Sequence, residues 1–232
     1  KYSAMFTTII TRALGPAMAY SAYRAYWFGT LASVVGFQML NFSQFWIIHR
    51  LTNNPLFLGY VGLASAIPSI VLNIFGGVLA DRVERRRLIA ITQTVNGVLI
   101  LILTLLTLTG LVQPMHVIVL AFFAGAVNAF DQPARQALYP SLIDHTAMMN
   151  AVALNSVIWT GTRIVGPAFA GLIITFVGEE VSFLLSALGF FAMAIVVMSI
   201  HVPGVESSSS TRLGATRGNF GFHERGLLEG VK

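Results

Sequence analysis

The sequence has 232 residues, of which 56% are hydrophobic and only 10% are charged. Soluble domains carry about 25% charged residues, so this composition excludes an ordinary soluble protein and indicates a membrane protein. The absence of cysteine excludes a disulfide framework, thiolate catalysis and cysteine-ligated zinc. The net charge of +5 raises the question of nucleic-acid binding, which depends on where the positive charges lie.

Six stretches are long and apolar enough to cross a bilayer, which requires about 20 largely apolar residues. Because backbone groups cannot stay unpaired in hydrocarbon, each stretch is predicted to be an α-helix. In chain order they are Tyr26–Ile48, Leu56–Ala80, Leu88–Leu111, Val112–Phe130, Ala151–Val177 and Val181–Ile200. The predicted organisation is therefore an N-terminal cytoplasmic segment over residues 1–25, a six-helix transmembrane bundle over 26–200 and a cytoplasmic linker over 201–232.

The positive charges fall on alternate connections between these spans. Twelve of the fourteen Lys and Arg residues lie before span 1, between spans 2 and 3, between spans 4 and 5, or after span 6. The positive-inside rule then predicts an integral protein of the cytoplasmic (inner) membrane, with both termini of this chain in the cytoplasm. The basic composition thus reflects topology, and no nucleic-acid partner is expected.

Span 1 carries uncharged polar side chains at helical spacing. Gln38, Asn41 and Phe45 lie on one stripe, and Gln44 lies about 60° away from it. Amide side chains at this depth either line a polar cavity or hydrogen-bond a neighbouring helix. The sequence leaves both roles open.

The exit of span 2 reads GGVLADRVERRRL, residues 76–88, and concentrates four arginines in a chain with few charges. The positive-inside rule accounts for the arginines. It does not account for Asp81, because a carboxylate at the C-terminal end of a helix meets the negative end of the macrodipole, at a cost of about 0.3–1 kcal/mol. We therefore expect Asp81 to meet a cation or the N-terminus of another helix, and the preceding glycines to allow close approach of a neighbouring helix.

The connection between spans 4 and 5 covers residues 131–150 and is predicted to be a cytoplasmic loop, because Pro133 and Pro140 interrupt it. It has room for a short interfacial helix. If the fourth helix continued into this loop, Asn128, Asp131 and Arg135 would share a face, and the last two would be spaced for an i,i+4 ion pair. An ion pair at the cytoplasmic rim and a proton-binding site are the two interpretations of that pair.

Span 5 places Arg163 near mid-membrane, where insertion of an arginine costs roughly 2.5–3.5 kcal/mol. The side chain is therefore expected to face the bundle interior or a water-filled cavity. Three roles are open for it there. It attracts an anionic or electron-rich substrate group, it pairs with a group on a part of the protein that is missing from this sequence, or it donates hydrogen bonds to helix carbonyls. Gly166 and Pro167 predict a hinge in the same helix, with Gly171 beyond them and Asn155 on the stripe of Gly166. Ordinary transmembrane packing is the alternative to the hinge.

The exit of span 2 resembles the signature between helices 2 and 3 of the major facilitator superfamily, Gly-x-Leu-Ala-Asp-Arg-x-Gly-Arg followed by a basic residue. The spacing matches throughout, and Glu84 stands where the family usually has its second glycine. In that family the aspartate and the first arginine join a latch between two six-helix halves. The resemblance therefore implies a conformational latch at Gly77, Asp81, Arg82, Arg85 and Arg86.

Residues 125–138 and 150–167 are similar to the enterobactin-exporter and macrolide-efflux branch of that superfamily. The glycine-proline element of span 5 also resembles the antiporter signature of the family, with Ala170 in place of one glycine. The resemblance implies the N-terminal six-helix half of a twelve-helix transporter, built as a 3+3 inverted repeat.

The sequence thus predicts an all-α integral membrane protein that is part of a secondary transporter. It would export a small amphiphilic molecule, such as a siderophore or a macrolide-type drug, by alternating access coupled to protons. The expected partners are the lipid bilayer, the substrate, protons and a missing C-terminal half, without cofactor or metal. The candidates for the substrate cavity and for coupling are Gln38, Asn41, Asn128, Asp131, Arg135, Asn155 and Arg163.

Two other classes of protein compete with a transporter. A non-transporting six-helix scaffold or degenerate half-transporter has the same topology, but needs neither Arg163 at mid-membrane nor Asp81 at a helix end. An enzyme is not expected, because the five histidines lie at span ends or in loops. The sequence also lacks a nucleophile elbow and a phosphate-binding loop.

Overall fold

The computed structural model describes residues 15–200, and within that range it describes the side chains of all residues except 78–82. The described part contains six α-helices, which we number in chain order. They are α1 (Ser21–Thr52), α2 (Pro55–Arg82), α3 (Arg85–Leu108), α4 (Pro114–Leu138), α5 (Met148–Phe176) and α6 (Glu179–Ser199). The predicted linker over 201–232 and most of the N-terminal segment lie outside the described residues.

Each predicted span is a helix, and all six helices are long and apolar enough to cross a membrane. The bundle begins at Ser21, five residues before the predicted boundary at Tyr26. A 3-10 turn over Pro16–Ala19 precedes α1, and its residues Ala17 and Met18 are fully buried. Five of the six helices begin one to five residues before the predicted spans, and three of them end one to three residues earlier than predicted.

The predicted loop over 131–150 is largely helical, so its prediction was wrong. Helix α4 continues through Pro133 to Leu138, and two 3-10 turns, Tyr139–Leu142 and His145–Ala147, lead into α5. Pro133 cannot donate a hydrogen bond to the carbonyl of Ala129, four residues earlier. That carbonyl lies against Gly76 of α2, where a Cβ atom would collide with it. The close contact with α2 keeps this part of α4 helical despite the proline.

The helices follow one another around the bundle in the order α2, α4, α3, α6, α1, α5. Helices α2 and α4 make the most extensive contact, which Gly76 and Gly125 permit. A Cβ atom on Gly125 would collide with the carbonyl oxygen of Ser65 on α2. Small residues allow this approach in a membrane because van der Waals packing, rather than water exclusion, drives the association of helices there.

A second close seam joins α1 to α6. Gly36 lies against the backbone of Ser186, and Gly189 lies against the carbonyl of Ala32. Toward the end of the bundle that lacks the arginine cluster, the hydroxyls of Ser43 and Ser182 are 2.7 Å apart. At that end Arg50 forms an ion pair with Glu179, the residue that begins α6.

The apolar core fills the same half of the bundle, between α1, α3, α4 and α6, with Val61 contributed by α2. Its fully or nearly fully buried side chains are Leu40, Ile47, Ile48, Val61, Ile100, Leu103, Val112, Val117, Ala121, Phe183, Ala187 and Phe190. By contrast, α2 and α5 leave most of their surface uncovered, including Ile74 (77% exposed) and Phe176 (80% exposed). Apolar surface of this extent indicates contact with lipid or with other membrane helices.

Candidate translocation site

A polar cavity opens between α1, α2 and α4 and has a volume of about 260 Å³. Its lining is rich in amide and hydroxyl groups and also includes the rings of Phe37 and Phe190. The polar lining residues are Asn41, Gln44, Ser65, Ser69, Asn96, Asn128 and Gln132. None of these side chains carries a formal charge. A cavity of this kind offers hydrogen bonds to an uncharged polar group and an apolar surface to the rest of a ligand.

A network of hydrogen bonds around an ion pair lies next to this cavity. Arg135 Nε donates to Asp131 Oδ2 at 2.6 Å, and both side chains are over 90% buried. Asp131 Oδ1 accepts hydrogen bonds from Thr92 Oγ1 at 2.7 Å and from Gln93 Nε2 at 2.9 Å. The predicted i,i+4 pair is therefore confirmed, but it is buried between helices instead of lying at an exposed rim.

The same network ties α1 to α3 and α4. Ser33 Oγ on α1 donates to Gln93 Oε1 at 2.7 Å and accepts from Arg135 Nη2 at 2.9 Å. Arg135 Nη1 lies 3.4 Å from Thr30 Oγ1. Among the described residues, every buried polar side-chain atom has a hydrogen-bond partner. The pair is thus fully compensated, as a charge pair in a medium of low dielectric constant must be.

The network also extends to two smaller cavities. Asp131, Gln132 and Arg135 line one of them together with Trp159 of α5. Gln132 and Arg135 line the other, together with Tyr26, Asn155 and Trp159. The ion pair therefore lies at the junction where α1, α4 and α5 meet polar space.

The predicted cavity residues divide into two groups. Asn41 and Asn128 line the large cavity, and Asn128 Oδ1 accepts a hydrogen bond from Asn96 at 3.4 Å. Asn155 lines one of the smaller cavities. Gln38 is instead a packing residue, because its Cβ lies where a side chain on Gly166 would stand. Of the two roles left open for the amides of span 1, Asn41 and Gln44 take the cavity role.

Arg163 is not buried among the six described helices, and its position facing the bundle interior or a water-filled cavity remains a prediction. The side chain is exposed on α5, next to Ile164, which is 77% exposed. Within residues 15–200 it makes no hydrogen bond or ion pair. Burial follows the stripe of Ile158, Thr162, Gly166 and Ala170 that faces α1, and Arg163 lies beside that stripe.

The predicted hinge elements of α5 occupy different surroundings. Helix α5 is continuous through Pro167 to Phe176. Gly166 is pressed against Gln38, whereas Gly171 is in ordinary contact with the ring of Phe42. Gly166 therefore sets the distance between α1 and α5, and the hinge remains a prediction.

The arginines that follow α2 bind the ends of neighbouring helices. Arg85 donates to the carbonyl of Ala137 in the last turn of α4 at 3.0 Å. Arg86 donates to the carbonyls of Val197 and Met198 near the end of α6, at 3.2 and 2.9 Å. Helix C-termini present unpaired carbonyls and a partial negative charge, so these contacts stabilise the six-helix unit.

The contacts of the other residues in the predicted latch segment are only partly described. Glu84, which stands where the family usually has a glycine, forms an ion pair with Arg87 at 2.6 Å. Asp81 and Arg82 are the last two residues of α2, and their side chains lie outside the described set. Gly77 has open space where a Cβ atom would stand. The latch between two halves therefore remains a prediction.

The sequence analysis missed the partners of the ion pair on α1 and α3. Thr92, Gln93 and Asn96 are buried polar residues on an otherwise apolar helix. Their spacing of one and four residues could have been recognised by the rule applied to the amides of span 1. Thr30 and Ser33 gave a weaker signal, because small hydroxyl residues are common at helix contacts in membranes.

The N-terminal turn is fixed to the connection between α4 and α5. The backbone N–H of Ala17 donates to Asn150 Oδ1 at 3.0 Å, and the hydroxyl of Tyr20 donates to Asp144 Oδ2 at 2.6 Å. The hydrogen bond to Asp144 raises the pKa of Tyr20 above its ordinary value. These contacts hold the start of α1 beside the start of α5.

The structure thus has six membrane-spanning helices around an uncharged polar cavity with a compensated ion pair beside it, an arrangement compatible with a membrane transporter. Comparison with known proteins agrees, since the family of transmembrane secretion effectors in the major facilitator superfamily matches residues 11–217. The chain belongs to this family, whose members are transporters and not enzymes.

Relatives with curated descriptions show which transporters of the superfamily the chain is similar to. The chain is 30% identical to the staphyloferrin A transporter of Staphylococcus aureus, over 67% of this chain and 40% of that protein. It is 25% identical to the multidrug efflux pump Tap of Mycolicibacterium fortuitum, over 67% of this chain and 39% of the relative. The enterobactin exporter EntS of Shigella boydii is 24% identical over 77% of this chain and 43% of its own length. Thus the chain spans about 40% of the relatives it matches, and no solved structure matches it significantly.

Proposed function

We propose that the protein provides the N-terminal six-helix half of a secondary transporter that exports a small amphiphilic molecule by alternating access. The observation that carries the proposal is the cavity of about 260 Å³ between α1, α2 and α4, whose lining combines five amide side chains with two phenylalanine rings. A molecule with both polar and apolar parts matches such a lining. The descriptions of relatives as siderophore and drug transporters support the same substrate class.

The uneven burial of the helices supports the role of one half in a larger carrier. Helices α2 and α5 are the least covered by the described residues, although α5 has Asn155 and Trp159 in polar cavities. In the proposal a second six-helix bundle covers these two helices and completes the cavity. Alternating access then consists of rocking the two bundles around the shared site.

The ends of α2 and the middle of α5 supply the moving parts in this proposal. Helix α2 ends at Arg82, so Asp81 lies where the carbonyl end of a helix disfavours a carboxylate. A cation or helix N-terminus from the second bundle would stabilise it in one conformation and release it in the other. Gly166 and Pro167 would let α5 bend against α1 during this exchange.

Asp131 is the residue that we propose as the proton-coupling acid. It is 3% exposed, lies on the same helix as Asn128 and borders polar space through Arg135 and Gln132. Protonation would neutralise Asp131 and remove its attraction for Arg135, which also contacts Ser33 and Thr30 on α1. A change of one proton would then alter the contact between α1 and α4. The proposed location is the cytoplasmic membrane, with both termini of this chain on the cytoplasmic side, as the distribution of positive charge indicates.

The test is efflux by the full-length protein reconstituted in proteoliposomes, with and without an imposed pH gradient. A fluorescent amphiphile should leave the lumen faster when the gradient is present. Asp131→Asn should abolish the effect of the gradient while retaining downhill exchange, and Asp131→Glu should retain the effect. The matched control is Asp144→Asn, which removes an exposed carboxylate outside the helices. Absence of any mediated flux in the wild type would favour the scaffold alternative.

A further inference from the structure

Arg163 lies near the middle of its helix, at the level of one end of the large cavity. It is 15 residues from the start of α5 and 13 from its end, or about 20 Å from each along the axis. The indole N–H of Trp27 on α1 donates to the carbonyl of Leu154, and Gly166 meets Gln38. Helices α1 and α5 therefore run side by side in the same direction, and Arg163 lies near the level of Phe37, which lines the large cavity.

Arg163 also continues the stripe of α5 that borders polar space. Asn155 and Trp159 both line the cavity next to Arg135, and Arg163 follows them at the i+4 spacing that keeps residues on one side of a helix. The wholly buried stripe through Thr162 faces α1, so Arg163 stands at its edge. It is exposed in the described structure but shares the side of α5 on which the polar cavities open.

A second polar group accompanies the guanidinium at this level. Pro167 has no N–H, so it cannot donate the helical hydrogen bond that the carbonyl of Arg163 would normally accept. A cation and a carbonyl without its usual donor at one position both require water or polar partners. This concentration of polarity favours a wet path over lipid on this side of α5.

The charges around the path do not balance. Arg135 is neutralised by Asp131 within 2.6 Å, whereas Arg163 has no carboxylate partner among the described residues. The large cavity has no charged lining residue. The described half of the site therefore carries one uncompensated positive charge at the level of the cavity.

Building on the proposed function, we infer that Arg163 is an anion subsite of the translocation path, which selects amphiphiles carrying a carboxylate. Guanidinium and carboxylate form two parallel hydrogen bonds, a geometry that gives strength and orientation in a medium of low dielectric constant. The ring of Trp159, one turn away, and the amides of the cavity would contact the uncharged remainder of the ligand. The proposed function leaves the charge of the amphiphilic substrate open, and this inference assigns it a negative charge.

Binding to the purified full-length protein tests the inference separately from transport. Dansyl-leucine and dansyl-leucinamide differ only in a carboxylate and a neutral amide, and dansyl fluorescence reports their binding in lipid nanodiscs. The wild type should bind the acid at least about tenfold more tightly, a difference of about 1.4 kcal/mol. Arg163→Gln should reduce the ratio to about one, whereas Arg163→Lys should keep part of the preference.

Arg87→Gln is the matched control, since Arg87 is largely exposed outside the cavity and pairs with Glu84. This variant should leave the ratio of affinities unchanged. Equal binding of both probes by the wild type would overturn the inference, as would equal weakening of both by Arg163→Gln, which would indicate a partner within the protein. Efflux measurements on the same preparations address the proposed function, so a carboxylate preference without flux would refute transport alone.

Discussion

Two arginines on the membrane-spanning helices, Arg135 and Arg163, have opposite surroundings in this protein. Arg135 is 6% exposed and contacts Asp131, Ser33 and Thr30 on two helices. Arg163 is exposed and, within the described residues, has none of these contacts. Both residues are costly to insert into hydrocarbon, but only Arg135 has its charge neutralised inside the bundle. Arg135 therefore holds helices together, whereas Arg163 is available to a ligand or a partner.

The largest expected effect follows from removing the buried cation. Arg135→Met should lower the free energy of unfolding by about 3–5 kcal/mol, because Asp131 would stay buried without its counterion. Unfolding in mixed detergent micelles measures the loss. The double variant with Asp131→Asn should recover much of the stability, since no charge is then left unpaired. A double variant no more stable than Arg135→Met would contradict the importance of charge compensation.

A smaller loss of stability is expected when a methyl group is added to a tightly packed helix face, compared with an open face. Gly125→Ala should cost about 1–3 kcal/mol, because the new methyl group meets the backbone of Ser65 and neither helix can move away cheaply. Gly161→Ala is the matched control, because a Cβ atom there meets nothing within 4 Å. It should leave stability unchanged or raise it slightly through helix propensity. Destabilisation by Gly161→Ala would reveal that another element covers this side of α5.

The smallest effect is expected at the exposed arginine. Arg163→Gln should change the free energy of unfolding by less than about 0.5 kcal/mol, because the side chain has no partner to lose within the described bundle. The same unfolding measurement checks this prediction, beside the loss of carboxylate preference described above. A loss as large as that for Arg135→Met would indicate that Arg163 also stabilises the fold, and would contradict the difference between the two arginines.

The site could be predicted from the sequence only in part, because contacts within one helix follow from spacing and contacts between helices do not. The spacing of Asp131 and Arg135 predicts their pairing because helix geometry alone brings positions four apart together. Their burial could not be predicted, because it depends on Thr92, Gln93 and Ser33 from two other helices. The continuation of α4 through Pro133 likewise depends on a contact with Gly76 of another helix.

Sequence alone was sufficient to predict the number of membrane spans, their helical character and the superfamily. Hydrocarbon forces every long apolar segment to satisfy its own backbone hydrogen bonds, so local composition is sufficient for these features. Only the tertiary structure decided which polar side chains meet. In a membrane helix the exposed and buried faces are both apolar, so periodicity does not reveal which face contacts protein. The sequence therefore left open which face of each helix its arginine occupies, and in the described structure Arg135 is buried while Arg163 is exposed.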